Sequence, residues 1–257
     1  IDLFENNPDV YFLINLRQKN IAVNLLIYLL NFLQGSNIIL FYPRKSHNLN
    51  NKNYLNYYPY DKHVIEINSE RSNVKFNKID LKNFFYFSEI EEKELEKKFK
   101  SLGSFSLIQS ETKDTFTKNK NWDVSKIQEI VNSFPKKNWV QIGLENDEKL
   151  RNIIDLRDKT SIRELAFLIK KSEFVVCLEG FFAHLSSCFN TRAYVIYSGI
   201  VPIENLVYDN IIPIDNTKNL KCSPCYKIKD CDLDKKYCTE DISASDVITK
   251  ILKNESK

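Results

Sequence analysis

The sequence predicts an α/β fold with a doubly wound parallel sheet, and three observations carry that prediction. The run Phe174-Val175-Val176-Cys177-Leu178 is short, apolar and continuous, which is how a parallel strand covered on both faces reads. Similar runs alternate with stretches of helical periodicity between residues 104 and 247. Strand and helix in repetition build a parallel sheet with helices on its faces. At 257 residues and 43% apolar side chains, the chain has material for one large or two modest cores.

Along the chain, Tyr11 to Leu16, Ile38 to Tyr42 and Val64 to Ile67 are predicted strands, with an apolar helix after Leu16. The apolar run Ile21 to Leu33 contains two asparagines and falls short of the roughly 20 residues that cross a bilayer, so it reads as a buried helix. Between Arg44 and Asp61 lies an Asn- and Tyr-rich loop, HNLNNKNYLNYYPYD. Its side chains suit stacking on and bonding to sugars, and a polar insertion with no task reads the same way. Glu89 to Lys100 is a charged helix whose alternating signs suit a solvated face. A boundary falls at Ser101-Leu102-Gly103-Ser104, dividing an incomplete first domain (1–103) from a second (104–257).

In the second domain, Phe105 to Gln109 and Asn138 to Leu144 are predicted strands, the latter followed by an acidic loop from Glu145 to Glu148. Ser161 and Glu164 have the spacing of a capping box, with Ile162, Leu165, Ala166 and Ile169 on one stripe of the helix they open. Phe174 to Leu178 and Ala193 to Tyr197 complete the predicted strands, the last ending at Ser198-Gly199.

A strand that ends on an acid and a glycine builds a site. Ligands of open α/β sheets collect at the carboxyl ends of the strands. At Glu179-Gly180 the glycine frees the turn of Cβ, and the next helix offers unpaired N–H groups to an anion. His184 lies about one helical turn in and can face the same crevice. A tight turn with a core histidine is the plainer alternative.

Four segments in order, LIQSETK with KNKNW, WVQIGLEND, TSIRELAFLIKKSEFVVCLEGFFAHLSS and AYVIYSG with its cysteine tail, resemble the C-terminal half of the family 9 glycosyltransferases, the ADP-heptose:lipopolysaccharide heptosyltransferase family. The resemblance implies a GT-B-like α/β fold of two Rossmann-type domains, the first incomplete. It implies transfer of a heptose or related sugar from a nucleotide-diphosphate donor such as ADP-heptose to a lipopolysaccharide or surface-glycan acceptor. The family's roles fall on Ser110 and Thr112 at the phosphates, Lys120 at the diphosphate, Glu145 at the ribose, and Glu179, Gly180 and His184 at the donor phosphates and sugar. Phe181 departs from the pattern, since the family has a second glycine there. By the same resemblance the catalytic base is expected before Ile1, and the enzyme is expected in the cytoplasm at the inner face of the inner membrane, compatible with peripheral membrane contact. Two rival readings stand beside it: a non-catalytic nucleotide- or sugar-binding descendant, and a metal-centred assembly module.

The second candidate site is Cys222-x2-Cys225-x5-Cys231-x6-Cys238. Four thiolates so spaced can close a tetrahedral site for structural zinc or iron; disulfides and free thiols are the alternatives. Relatives in the resembled family often carry a similar CxPC tail, and some bind iron through cysteines, which favours the metal. Cys177 and Cys188 sit in the apolar block and read as core. A net charge of +3 and the absence of arginine-aromatic interleaving argue against nucleic acid. The chain has no methionine where ordinary usage would give about five, in keeping with an open frame that lacks its beginning.

Overall fold

The computed structural model describes residues 62–66, 83–112, 117–218, 220–227 and 230–255. The strands expected at 11–16 and 38–42, the helix between them and the Asn- and Tyr-rich loop lie outside these. So does the run at 21–33. Among the described residues no helix is long and apolar enough to cross a membrane.

Six parallel strands form one sheet in the order β3-β2-β1-β4-β5-β6. They are β1 Ser106–Ile108, β2 Trp139–Gln141, β3 Ile154–Asp155, β4 Val175–Leu178, β5 Ala193–Ile196 and β6 Ile211–Ile214. Strand residues alternate between two cores, as the pleat requires. Leu107, Val175, Cys177 and Val195 face one layer, with Leu165, Leu168, Phe182 and Leu185 from α3 (Ile162–Lys171) and α4 (Phe181–Cys188). Ile108, Val176, Leu178, Tyr194 and Ile196 face the other, with Ile127, Ile130, Val247 and Ile251 from α2 (Val124–Ser133) and α6 (Ala244–Glu255). Order reverses between β1 and β4, so their carboxyl ends diverge into the crevice where such sheets bind ligands.

Local chemistry explains the helix starts. Ser88 caps α1 (Glu89–Phe99) by accepting from the Glu91 N–H, and three acids occupy its first turn. Asp123 caps α2, and the capping box of Ser161 and Glu164 closes in both directions on α3. α1 lies against α3, tied by Lys170–Glu92 and Lys171–Glu96 at 2.6 Å and by Lys98–Glu164. A short helix, α5 (Tyr237–Glu240), leads into α6. Pro213 sits in the edge strand β6, and its carbonyl accepts from the Lys250 ammonium on α6.

Two local expectations are revised. Residues 64–66 are helical, not extended, because the His63 Nδ1 accepts the Ile65 N–H at 3.2 Å and closes a turn. The second strand ends at Gln141, because the Asp147 carboxylate accepts the Leu144 N–H at 2.8 Å and folds the chain back. A Cβ at Gly143 would stand 2.1 Å from that carboxylate. β3 and β6 are strands additional to those the sequence predicts.

Candidate functional site

β4 delivers Glu179 to the reversal point. Its N–H still donates to the Ile196 carbonyl at 3.0 Å, so the ladder runs to its backbone and leaves the side chain at the strand's end. Gly180 then adopts φ 154°, ψ −147°, a conformation essentially reserved for glycine, and α4 begins. The Glu179 carboxylate is only 3% exposed. One oxygen accepts from the Ser198 N–H at 3.1 Å and the Ser198 hydroxyl at 2.7 Å. The other faces the Lys120 ammonium at 2.8 Å. Two hydrogen bonds and a cation meet the demand of a buried carboxylate for compensation.

Lys120 reaches this acid because the loop between β1 and α2 is pinned on both sides of it. Asn119 donates to the Lys227 carbonyl at 3.3 Å. The Asn121 side-chain oxygen accepts from the N–H and the hydroxyl of Thr112 at 2.8 and 2.6 Å. Trp122 is buried, its indole N–H donating to the Ile242 carbonyl at 3.1 Å. Residues 119–122 are thus held by their neighbours, with Lys120 turned to Glu179.

His184 stands one turn into α4, its Nδ1 2.7 Å from the Tyr208 hydroxyl. Burial, then the charge of Lys120, push its pKa below the usual imidazole value against an upward pull from Glu179. The ring is therefore neutral near pH 7 and close enough to the Lys120–Glu179 pair to sense both charges. Phe181, at the mouth, is 42% exposed.

The other sequence-selected residues divide. Ser110 is wholly buried; its hydroxyl accepts from Gln141 at 2.9 Å and donates to the Glu148 carbonyl at 3.4 Å, so it orders the ends of β1 and β2. Thr112 is bound to Asn121, next to Lys120. Glu145 is exposed on the turn after β2, and its carbonyl accepts from Arg157, which also clasps Asp155 with its Nε at 2.9 Å and Nη2 at 3.0 Å. Sequence reasoning missed Ser198, Asn121, Tyr208 and Asn83. Ser198 alone had a signal, since it closes a strand at the same sheet edge.

The zinc or iron expected at Cys222, Cys225, Cys231 and Cys238 is not supported. The four line one cavity of about 330 Å³, and none of them forms a disulfide. Among the described residues no three Cys, His, Asp or Glu side chains are grouped to hold an ion. Cys231 instead reaches the Lys235 carbonyl at 3.9 Å, and burial raises the pKa of Cys225 and Cys238.

Comparison with solved structures follows the sheet. The glycosyltransferase of family 9 from Veillonella parvula superposes at a TM-score of 0.58 and 13% identity, over 75% of this chain and 60% of that one. The chain has the fold of the family 9 glycosyltransferases. E. coli ADP-heptose lipopolysaccharide heptosyltransferase II gives a TM-score of 0.51 at 14% identity, over 68% of this chain and 54% of its own. An E. coli heptosyltransferase solved with ADP gives 0.51 at 14% identity, over 83% and 60%. The described sheet is thus α/β and GT-B-like, and the chain spans 54–60% of the length of these structures. No protein-family model and no curated protein matches the sequence.

Proposed function

We propose that this chain is the donor-binding part of a glycosyltransferase that moves a heptose or related sugar from a nucleotide-diphosphate donor to a lipopolysaccharide or surface-glycan acceptor, at the inner face of the inner membrane. The observation that carries the reading is the Lys120–Glu179 contact at the reversal point of the sheet, beside a neutral His184. The Lys120 ammonium brings a positive charge to a diphosphate, and the start of α4 adds backbone N–H groups. In transfer the anomeric carbon–phosphate oxygen bond breaks, the acceptor oxygen takes its place, and the departing diphosphate gains negative charge. Lys120 and the Gly180 turn are set where that charge would develop. The resemblance assigns Glu179 to the sugar hydroxyls and Glu145, on the turn after β2, to the ribose. Deprotonation of the acceptor is assigned to none of the described residues.

Lys120→Ala tests the assignment by calorimetry with a panel of nucleoside diphosphates and the matching nucleosides. Loss of a charge-assisted contact should weaken diphosphate binding about 10- to 100-fold, with the nucleoside within about twofold. Equal losses for both would remove Lys120 from the phosphate role. Phe181, bulky and exposed where the resembled family has glycine, favours a second reading, a binder without turnover. Donor consumption in the presence of acceptor separates it from an enzyme.

A further inference from the structure

Tyr208 lies between β5 and β6, is buried, and touches two histidines. Its hydroxyl is 2.7 Å from the His184 Nδ1, and the His63 ring meets its ring edge-on at 4.7 Å between centroids. Asn83 braces the same corner, its amide donating to the Ser187 hydroxyl at 2.7 Å and the His184 carbonyl at 3.2 Å. Burial raises the Tyr208 pKa to about 12, with the Asn83 side chain pulling the other way.

The protons of this cluster can be counted. With its pKa raised to about 12 the buried phenol keeps its proton near pH 7, and the acceptor 2.7 Å from its oxygen is the His184 Nδ1. A neutral imidazole that accepts at Nδ1 carries its proton on Nε2. Among the described residues Nε2 has no protein partner, and it is not a buried atom. A donor is therefore presented beside Lys120.

We propose that Tyr208, braced by Asn83, is a positioning residue: it fixes His184 in the Nε2–H tautomer, so that this N–H donates to a phosphate oxygen of a bound nucleoside diphosphate. The inference rests on the donor-site reading above and names how that site is set. A lone imidazole would divide between tautomers and offer a lone pair to the phosphate part of the time. A Tyr208 hydroxyl that donates to Nδ1 removes that repulsive state.

Long-range ¹H–¹⁵N spectra of the full chain labelled at histidine test this. The three histidines are His47, His63 and His184, and His184→Gln assigns the signal of interest. The unliganded wild type should show His184 as the Nε2–H tautomer. Tyr208→Phe keeps the ring contacts and removes only the hydroxyl. It should mix the tautomers and weaken ADP or the best-bound nucleoside diphosphate about three- to tenfold, with the nucleoside unchanged. In the His184→Gln background, whose amide supplies N–H without tautomers, Tyr208→Phe should have no further effect. Asn83→Ala gives a second route to the same mixing should Tyr208→Phe unfold. An Nδ1–H tautomer in the wild type, or unchanged tautomer and affinity in Tyr208→Phe, overturns the proposal. If no nucleoside diphosphate binds the wild type, the donor-site reading and the phosphate contact both fall, while the tautomer of the unliganded protein still decides the positioning role.

Discussion

Lys120→Met deletes the ammonium beside Glu179 and keeps an apolar stem of similar length. The carboxylate it leaves is 3% exposed and still accepts two bonds from Ser198, while the oxygen that faced Lys120 loses its only cation. Removing one partner of a fully buried pair costs about 3–5 kcal/mol. The Lys120 side chain is 17% exposed, so water can partly replace it, and the expected cost falls to about 2–3 kcal/mol. Glu179→Gln in the same background removes the stranded charge while keeping the shape and one acceptor oxygen, and should recover about 1.5–2.5 kcal/mol of that loss. Urea unfolding with unchanged m-value reads both steps as midpoint shifts. Diphosphate affinity should stay low in the double variant, so stability returns without binding. If the two substitutions add to within about 0.5 kcal/mol, the 2.8 Å contact does not couple the residues and the account of Glu179's burial is wrong.

Acid should loosen the His63 corner. Burial and the neighbouring His184 hold the His63 pKa at about 4 against 6.5 for the free side chain. The unfolded chain therefore binds more protons between those values, and stability falls as pH drops through that window, by about 2–3 kcal/mol in total. His63→Asn, which retains an acceptor for the Ile65 N–H, should flatten this part of a thermal-denaturation profile; an unchanged slope would show that His63 does not titrate there. Gly180→Ala places a side chain at φ 154° and should cost about 1–3 kcal/mol in chemical unfolding, although no heavy atom would lie within 4 Å of the new Cβ. A neutral result would mean that the turn relaxes freely.

The parts of the fold visible in the sequence are those whose local and global signals agree. β4 and β5 are continuous apolar runs buried on both faces, and α3 declares its start with Ser161 and Glu164. β3 was hidden because it is two half-exposed residues between polar turns, too short for any period. β6 was hidden because Pro213 argues against a strand unless the strand is at an edge, which the sequence does not say. Residues 64–66 carry a strand-like pattern that the preceding imidazole overrides. Strand-end reasoning points to Glu179 and the resemblance to Lys120. Their contact depends on Asn119 and Trp122 anchoring the neighbouring backbone to Lys227 and Ile242, far along the chain, a matter of tertiary packing. The cysteines show the opposite failure. Their spacing resembles a ligand set, but spacing does not say that each sulfur is aimed at a common centre.

The Pro213 position bears on how this molecule can meet others. A sheet with a bare outer strand is a template onto which another chain can be laid, residue by residue, through backbone bonding. At Pro213 the outer rim of β6 has no N–H to give, and the Lys250 ammonium already occupies the carbonyl. An incoming strand would meet a gap in its ladder and a positive charge over it. The six-stranded layer is closed to growth at this end.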